Sequence, residues 1–321
     1  MRLMRTLVRQ VALLAVVSVA VFLLMKASPV DPVDAYLGPA MAHVGPDQRA
    51  QIAASWGLDR PVHEQFLAWT GHVLRGDLGF STTYNAPVAQ VMGDRIGASL
   101  ALTGLAWLLS GAFGFALGLV AAAWAGGALD RTIRVYCYVL AATPTFWLAM
   151  LMLTAFSVRL GWTPICCAGP VGVPPDQIGF WDRLHHLILP LAALTLFGVA
   201  QIALHTRVKM IEVLASDYVL LARAQGAGRL DIVARHGIRN AGLPALTVLM
   251  ASTGEIFGGS ILAEQVFAWP GLGRATVEAG MKGDVPLLTA IALLTALIVS
   301  SANRVADRIY PVLDPRMRGA T

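Results

Sequence analysis

Long runs of apolar residues without any Asp, Glu, Lys or Arg restrict the fold of this chain more than any other feature of its sequence. A helix needs roughly 20 such residues to cross the hydrocarbon core of a bilayer. The runs are rich in Leu, Ala and Val and do not alternate as strands do, so they predict α-helices. Six candidate spans follow from the sequence: residues 10–25, 96–129, 135–158, 184–206, 240–267 and 285–303. The run 240–267 is interrupted by Glu255 and Glu264.

The composition supports a membrane protein. Hydrophobic residues make up 56% of the chain and charged residues 13%, whereas soluble domains have about 25% charged residues. Three cysteines are too few for a disulfide framework, and none has the spacing of a zinc site. The net charge of +5 is spread among the apolar runs rather than collected in a basic stripe, so nucleic acid is not an expected partner.

The positions of the cations predict the orientation of the helices. Fifteen Lys and Arg residues lie on the side of the N-terminus and nine lie on the opposite side. Because cytoplasmic loops carry the excess of Lys and Arg, both termini are expected in the cytoplasm. The first run also fits a secretory signal peptide, but Lys26 at its end and the absence of an Ala-x-Ala site favour an uncleaved anchor.

This topology divides the chain into four parts. They are an anchor (1–26), an external segment (27–95), a core transmembrane domain (96–306) and a cytoplasmic tail (307–321). The external segment carries apolar residues with the spacing of an amphipathic helix, which predicts that it folds back on the membrane face: Trp56, Phe66, Leu67, Trp69, Val73 and Leu74.

Several motifs of catalysis and metal binding are absent from the sequence. It has no G-x-x-x-x-G-K-[ST] phosphate loop, no H-E-x-x-H and no G-x-S-x-G. We therefore expect neither an enzyme nor a metal site. His185-His186 is interpreted as interfacial packing, and Cys166-Cys167, in the external loop 159–183, as two small loop residues rather than a redox or metal site.

The segment 207–244 is longer than a connection between two spans needs to be. Tyr218, Leu221, Ala222 and Gln225 share one side of a short predicted helix, and Gly226-Ala-Gly228 separates it from a second one with Leu230, Val233, Ala234 and Gly237 on one side. Apolar faces on so long a segment favour a docking surface for a partner. An amphipathic segment lying on anionic lipid is the alternative.

Several motifs then make the sequence recognisable. The stretches DYVLLARAQG (217–226) and RHGIRNAGLP (235–244) resemble the cytoplasmic coupling segment of ABC importer permeases of the dipeptide, oligopeptide and nickel family. Five further landmarks of that family follow in its order: GLDRP (57–61), RGDLG (75–79), TPTFW (143–147), FAWPGLG (267–273) and LDPR (313–316). The coupling segment lacks the literal Glu-Ala-Ala of other importers, and this branch of the family commonly lacks it.

The resemblance implies an all-α membrane protein of six transmembrane helices with the fold of a type I ABC importer transmembrane domain. It further implies that the chain lies in the lipid bilayer of a bacterial inner membrane. The implied protein partners are a second homologous permease, two cytoplasmic ATPases that hold ATP and Mg²⁺, and an external solute-binding protein. This chain itself should bind no cofactor. The resemblance assigns ATPase coupling to the loop 207–242 and to these residues: Asp217, Tyr218, Ala222, Arg223, Gly226, Arg239, Asn240 and Pro244.

The substrate and the pathway are less constrained by the sequence. The resemblance covers importers of peptides and of nickel or metal chelates, and both classes stay open. A self-contained secondary carrier or channel is the alternative function, but it would carry paired broken helices or intramembrane charges, and here Glu255 alone lies deep in a span. Glu255 either lines the pathway or is hydrogen-bonded at the interface with the second permease. The other pathway candidates are Ser252, Gly259, Trp147 and Pro144.

Overall fold

The structure is a computed structural model that describes residues 2–27, 31–37, 43–55, 57–174 and 176–313. Helices dominate it, and one short hairpin of two strands adds to them. The elements are α1 (Arg2–Ala27), α2 (Pro32–Leu37), α3 (Pro46–Ser55), α4 (Val62–Leu74), β1 (Phe80–Ser81), β2 (Ala86–Pro87), α5 (Val88–Ala123), α6 (Ala128–Ala142), α7 (Thr145–Met152), α8 (Phe180–Leu214), α9 (Asp217–Ala224), α10 (Arg229–Ile232), α11 (Ile238–Ala251), α12 (Thr253–Val266), α13 (Leu272–Lys282) and α14 (Val285–Leu313).

All six predicted runs are helical, but their lengths differ from the prediction. Within the described residues, three helices are each long and apolar enough to cross a membrane, namely Val88–Ala123, Phe180–Leu214 and Val285–Val305. The apolar part of α1, Val8–Leu24, is shorter. The remaining two runs are broken, and each break changes what the sequence predicted.

The third run is two helices rather than one. The pair Ala128–Ala142 and Thr145–Arg159 is bent by 106° at Thr143 and Pro144, and α7 continues into a π-helical turn, Leu153–Arg159. Pro144 precedes the first residue of α7, a place where the missing N–H of a proline costs nothing. The fifth run breaks at Ser252, between α11 and α12.

The chain forms two compact units, Met1–Gly97 with Arg274–Ser300, and Ala98–Gly273 with Ser301–Thr321. In the first unit, Phe22 of α1 is 4% exposed and its ring lies 5.2 Å from that of Phe66 and 5.9 Å from that of Trp69. The amphipathic helix predicted in the external segment is thus α4, and its aromatic side rests on α1. Trp56 lies outside the described residues.

The same unit holds the hairpin against the start of α14 through one carboxylate. Asp284 is fully buried and accepts hydrogen bonds from the Ser81 hydroxyl at 2.5 Å and the Thr83 amide at 2.9 Å. Its second oxygen accepts from the Leu287 amide at 3.2 Å, in the first turn of α14. A buried carboxylate needs such donors, so Asp284 fixes the hairpin to the helix.

In the second unit, α5 packs on α8 through glycines. A Cβ placed on Gly114 would lie 2.8 Å from Cβ of Ile202, and one on Gly118 would lie 2.7 Å from the carbonyl oxygen of Ala203. Helices approach this closely only where the residues between them are small. The main core of this unit gathers around the fully buried Leu102 and Leu194, with Phe267 and Trp269 packed beside them.

Candidate functional site

The segment predicted as a coupling loop is an elbow of two short helices, α9 and α10, between the long helices α8 and α11. The helix α8 ends at Leu214, and the carbonyl of Ser216 accepts the amides of Val219 and Leu220 at 3.0 and 3.1 Å to start α9. Asp217 occupies the first turn of α9, where a carboxylate interacts favourably with the helix dipole. The first of the two predicted short helices is therefore present.

Gly226 ends α9 in a left-handed turn. Its φ is +89°, its amide donates to the Arg223 carbonyl at 3.0 Å, and the amide of Ala227 donates to the Ala222 carbonyl at 3.0 Å. This pattern closes the C-terminus of a helix and favours glycine. A Cβ on Gly226 would meet no atom of this chain within 4 Å. The residue is thus required by the backbone conformation and not by crowding within the chain.

The side of α9 predicted to dock a partner is exposed. Tyr218 is 44% exposed and Leu221 is 60% exposed, while Val219 is fully buried and anchors the helix. The ring of Tyr218 lies 5.8 Å from that of His236, whose carbonyl accepts the side-chain amide of Asn240 at 2.7 Å. Tyr218 and Asn240 thus both contact His236.

The other predicted coupling residues are spread along the elbow. Arg239 is exposed, and Pro244 lies inside α11. Arg223 lies on the opposite side of α9 from Tyr218 and Leu221, as expected at about 3.6 residues per turn, and lines a cavity. The predicted second helix differs too: α10 is one turn long and runs through a π-helical turn, Val233–Gly237, into α11.

A buried ion pair holds the base of the elbow, and the sequence analysis missed it. Asp130 is fully buried at the start of α6, and Arg207 of α8 donates to its two oxygens from Nε at 2.6 Å and from Nη2 at 2.8 Å. The amide of Gly126 donates to the same carboxylate at 2.9 Å. The available signal was an acid between two apolar runs and an arginine directly after a third, but the orientation rests on a count of Lys and Arg that includes Arg207 and leaves Asp130 out.

The break between α11 and α12 contains one of the pathway candidates. The carbonyl of Leu249 accepts the Ser252 hydroxyl at 2.9 Å and Nε1 of Trp107 at 2.8 Å. Side chains thus satisfy a carbonyl at the end of α11. The predicted span 240–267 is therefore divided at Ser252.

The remaining pathway candidates lie in different surroundings. Gly259 is buried, and a Cβ there would lie 3.6 Å from the ring of Phe197 and 3.8 Å from Thr145, so it serves close packing of α12 on α8 and α7. Trp147 is 50% exposed and Pro144 is exposed. The side chain of Glu255 lies outside the part of the chain that the structure describes.

A turn after α12 is built on a carboxylate that the sequence analysis noted only as an interruption. Glu264 is fully buried, accepts the Ser99 hydroxyl at 2.6 Å, and its carbonyl accepts the amide of Trp269 at 2.8 Å. The hydroxyl of Ser99 in turn accepts the amide of Leu272 at 2.7 Å. Gly271 lies so close that a Cβ there would collide with the carboxylate. The FAWPGLG motif is therefore a packed turn.

The external loop also differs from its interpretation. Cys166 and Cys167, expected as two small loop residues, are joined by a disulfide. The amide of Cys167 donates to the Phe267 carbonyl at 2.9 Å. Of the predicted interfacial histidines, Nε2 of His185 lies 2.9 Å from the Trp162 carbonyl oxygen. In the described residues no three His, Cys, Asp or Glu side chains gather as metal ligands.

Comparison with known families identifies the family to which the chain belongs. Residues 114–319 match the binding-protein-dependent transport system inner membrane component, and residues 1–103 match the N-terminal part of the same membrane component. The match covers most of the chain, and the chain belongs to this family.

The curated relatives agree. The chain is 32% identical to the oligopeptide transport system permease protein AppB of Bacillus subtilis, over 94% of each chain. It is 34% identical to the di/tripeptide transport system permease protein DppB of Pseudomonas aeruginosa, over 94% of each chain. It is 35% identical to the glutathione transport system permease protein GsiC of Salmonella typhi, over 95% of this chain and 94% of that one.

The fold agrees as well. The structure resembles the inward-facing MetNI methionine ABC transporter with a TM-score of 0.57 at 16% identity, over 70% of this chain and 97% of that one. The fold is thus the all-α type I ABC importer transmembrane domain that the sequence predicted. The chain is a permease subunit of an ABC importer, a transport subunit and not an enzyme.

Proposed function

We propose that this permease imports peptides and that α9 couples it to a partner ATPase. The relatives transport oligopeptides, di- and tripeptides or glutathione by their names, and this supports a peptide substrate over nickel or a metal chelate. We assign the importer four further subunits on the basis of the family. They are a second homologous permease, two ATPases carrying ATP and Mg²⁺, and an external solute-binding protein.

The observation that carries the coupling role is the exposed apolar side of α9. Tyr218 and Leu221 leave much of their surface in solvent although Val219, one residue away, is fully buried. An eight-residue helix gains too little from its own hydrogen bonds to be stable in isolation, so its order comes from packing. An apolar surface held in place in this way fits the cleft of a partner better than it fits water.

The position of the elbow suits the transmission of motion. The helices α9 and α10 lie directly between α8 and α11, and the buried Asp130–Arg207 pair joins α8 to the start of α6. A displacement of a docked α9 would reach three helices of the second unit through covalent links and this pair. Rocking of helices around a central site is the usual form of alternating access.

The orientation follows from the cation asymmetry. We place both termini, the elbow and the tail 307–321 in the cytoplasm, and the segment 27–95 outside, because the elbow side carries fifteen of the 24 Lys and Arg residues. We place the pathway along the exposed side of α12. Gly254 and Gly258 are exposed one turn apart on that helix and flank Glu255.

A charge on the docking side of α9 tests the coupling role. In the assembled importer, purified with its ATPases and reconstituted into vesicles, we expect Ala222→Asp to lower peptide uptake at least tenfold, because a desolvated carboxylate in an apolar cleft costs more than about 1.4 kcal/mol. The matched control is Ala222→Ser, which puts an uncharged polar side chain of similar size to alanine at the same position of α9. Uptake of a labelled dipeptide and release of the ATPase are measured together.

The control separates docking from folding. We expect both variants to be present in the membrane in equal amounts and only Ala222→Asp to lose the ATPase or its coupled hydrolysis. Equal uptake by the two variants would remove α9 as the coupling helix. If the native importer took up another substrate but no labelled dipeptide, the peptide assignment would be wrong and the coupling role of α9 would be unaffected.

A further inference from the structure

A cavity lies on the side of the elbow that faces the long helices. Its volume is about 790 Å³. The walls come from the end of α5 (Ala122 and Ala123), from the last turn of α8 (Ile211 and Leu214) and from the elbow itself. The lining is therefore largely aliphatic, and it is formed within the second unit alone.

The depth of this cavity corresponds to the headgroup layer of the membrane. The apolar run of α8 ends at Thr206, and Ile211 lies five residues further along the helix, which is about 7.5 Å at 1.5 Å per residue. Headgroups occupy about 5 to 8 Å beyond each face of the hydrocarbon core. The end of α5 at Ala123 borders the same layer because that helix is apolar up to its last residue. Trp124, which is 38% exposed, follows at this level.

Two cations complete the cavity. Arg223 of α9 and Arg229 of α10 belong to its lining, and the described lining contains no acidic residue. The guanidinium carbon of Arg229 lies 5.6 Å from the centre of the Trp124 ring, so a cation–π contact orients it at the interface. Guanidinium groups bind phosphate through paired hydrogen bonds. The cavity therefore combines an anion-binding mouth with walls that suit hydrocarbon.

An element of the ATPase is a less suitable occupant. The proposed docking side of α9 holds Tyr218 and Leu221, whereas Leu220 and Arg223, which line the cavity, lie on the other side of the helix. One short helix cannot present both sides to the same cleft. The cavity side also faces the ends of α5 and α8, which rise from the membrane.

We propose that this cavity binds one anionic phospholipid. Arg223 and Arg229 would hold its phosphate, and the first carbons of its acyl chains would lie along Leu220, Leu214 and Ile211 before the chains enter the bilayer. The bound lipid would fill the space behind α9 and hold the helix in the position from which it docks. The proposal rests on the cytoplasmic orientation of the elbow, and its test needs neither an ATPase nor transport.

The test measures retained lipid on the full-length chain. The chain is purified in detergent, incubated with dioleoyl phosphatidylglycerol, and analysed by native mass spectrometry across a range of lipid concentrations. We expect Arg223→Gln with Arg229→Gln to weaken phosphatidylglycerol binding about thirtyfold, since each arginine near an anionic lipid surface accounts for about a fivefold factor. Phosphatidylcholine should bind the native chain and this variant equally weakly.

Two further variants make the result specific. The matched control, Arg131→Gln with Arg235→Gln, removes two exposed cations that do not line the cavity and should leave phosphatidylglycerol binding unchanged. Ala215→Phe keeps both arginines but puts a ring into the cavity, and it should also abolish lipid retention.

Three outcomes would overturn the proposal. Equal loss of binding in the test and control pairs would show a general effect of surface charge. Displacement of the lipid by millimolar inorganic phosphate would show an anion site without a role for the acyl chains. Normal phosphatidylglycerol binding in the Arg223 and Arg229 variant would show that these two arginines do not hold the lipid.

Discussion

The elbow at α9–α10 and the turn after α12 both carry family motifs with glycines, but they use them in opposite ways. In the turn, Gly271 has an ordinary φ and no room for a side chain, because it packs on the buried Glu264. In the elbow, Gly226 has φ +89° and open space around it. One glycine is set by packing within the chain and the other by backbone conformation alone.

The two regions illustrate two kinds of motif, one that stabilises the fold of the chain and one that is available to contact a partner. The residues of the turn are explained by contacts inside the chain: Ser99, Glu264 and the Leu272 amide form one hydrogen-bonded group. The exposed residues of α9 have no such explanation, since Leu221 is 60% exposed. Where a chain belongs to a multi-subunit family, residues of the second kind are the ones to examine for partner contacts.

The largest effect is expected in the turn. A Cβ added by Gly271→Ala would collide with the Glu264 carboxylate and the Ser99 hydroxyl, so we expect a loss of about 3 kcal/mol in the free energy of unfolding, at the upper end of overpacking substitutions. The amount of folded chain in the membrane and its thermal unfolding in detergent measure this loss.

A glycine in α12, the helix before this turn, is the control. Gly258 is exposed in α12, and a Cβ there would meet nothing within 4 Å. Gly258→Ala is therefore expected to stabilise the helix by about 0.5 to 1 kcal/mol. If the two substitutions gave the same melting temperature, the turn would not be the packed structure described above.

A smaller effect on stability is expected at Gly226. Valine would be forced into a left-handed conformation that costs about 1 to 2 kcal/mol, which α9 can relieve by shifting. Gly226→Val should leave the chain in the membrane but lower coupled uptake strongly. Gly226→Asn should retain most activity because asparagine tolerates this conformation better.

The neighbouring Gly228 sharpens this prediction. It also has open space, but its φ is −73°, so Gly228→Ala should change neither stability nor uptake by much. Equal loss of uptake in Gly226→Asn and Gly226→Val would mean that a partner, rather than the backbone conformation, requires glycine at 226.

The sequence predicted the helices well because a membrane requires long apolar runs. It failed where the break leaves no mark in composition. Pro144 stands before a new helix where a proline is tolerated, and Ser252 is a single small polar residue that does not mark a break between α11 and α12. The start of α5 at Val88 was also missed, since the helix continues past the apolar run through Asp94 and Arg95.

The candidate site likewise has features that the sequence predicts and features that it does not. The short helix α9 and the glycine turn follow from local spacing, so they were predicted. The Asp130–Arg207 pair joins residues 77 positions apart, and no local pattern reports such a contact. The cavity at the elbow depends on the relative positions of α5, α8 and α9. Hence Arg223 was grouped with the docking residues of its own helix.

The smallest effect is expected at Glu278, a carboxylate that is neither fully buried like Glu264 nor as exposed as the side chains of α9. Glu278 is 21% exposed in its side chain and accepts hydrogen bonds from the Tyr84 hydroxyl and from Nε of Arg274, each at 2.7 Å. Burial alone would raise the pKa of Glu278, but the two hydrogen bonds outweigh it and hold the pKa below its usual value. Burial and the bond to Glu278 raise the pKa of Tyr84 to about 12.

The signs of these shifts give a pH dependence. Because the pKa of Glu278 is lowered on folding, its contribution is present above the unfolded value of about 4.3 and is lost as the pH falls through the folded value. Tyr84→Phe removes one donor, so we expect a loss of about 1 kcal/mol or less at pH 7. The difference from the native chain should shrink as the pH falls below about 4.3 and vanish below the lowered folded pKa of Glu278, where the carboxylate is protonated in both states. Melting temperatures at several pH values measure it, with Tyr138→Phe, at a residue 57% exposed, as the control. A difference that stayed constant down to low pH would mean that the Tyr84 hydroxyl acts through packing, as the glycines of the turn do, and not through the charge of Glu278.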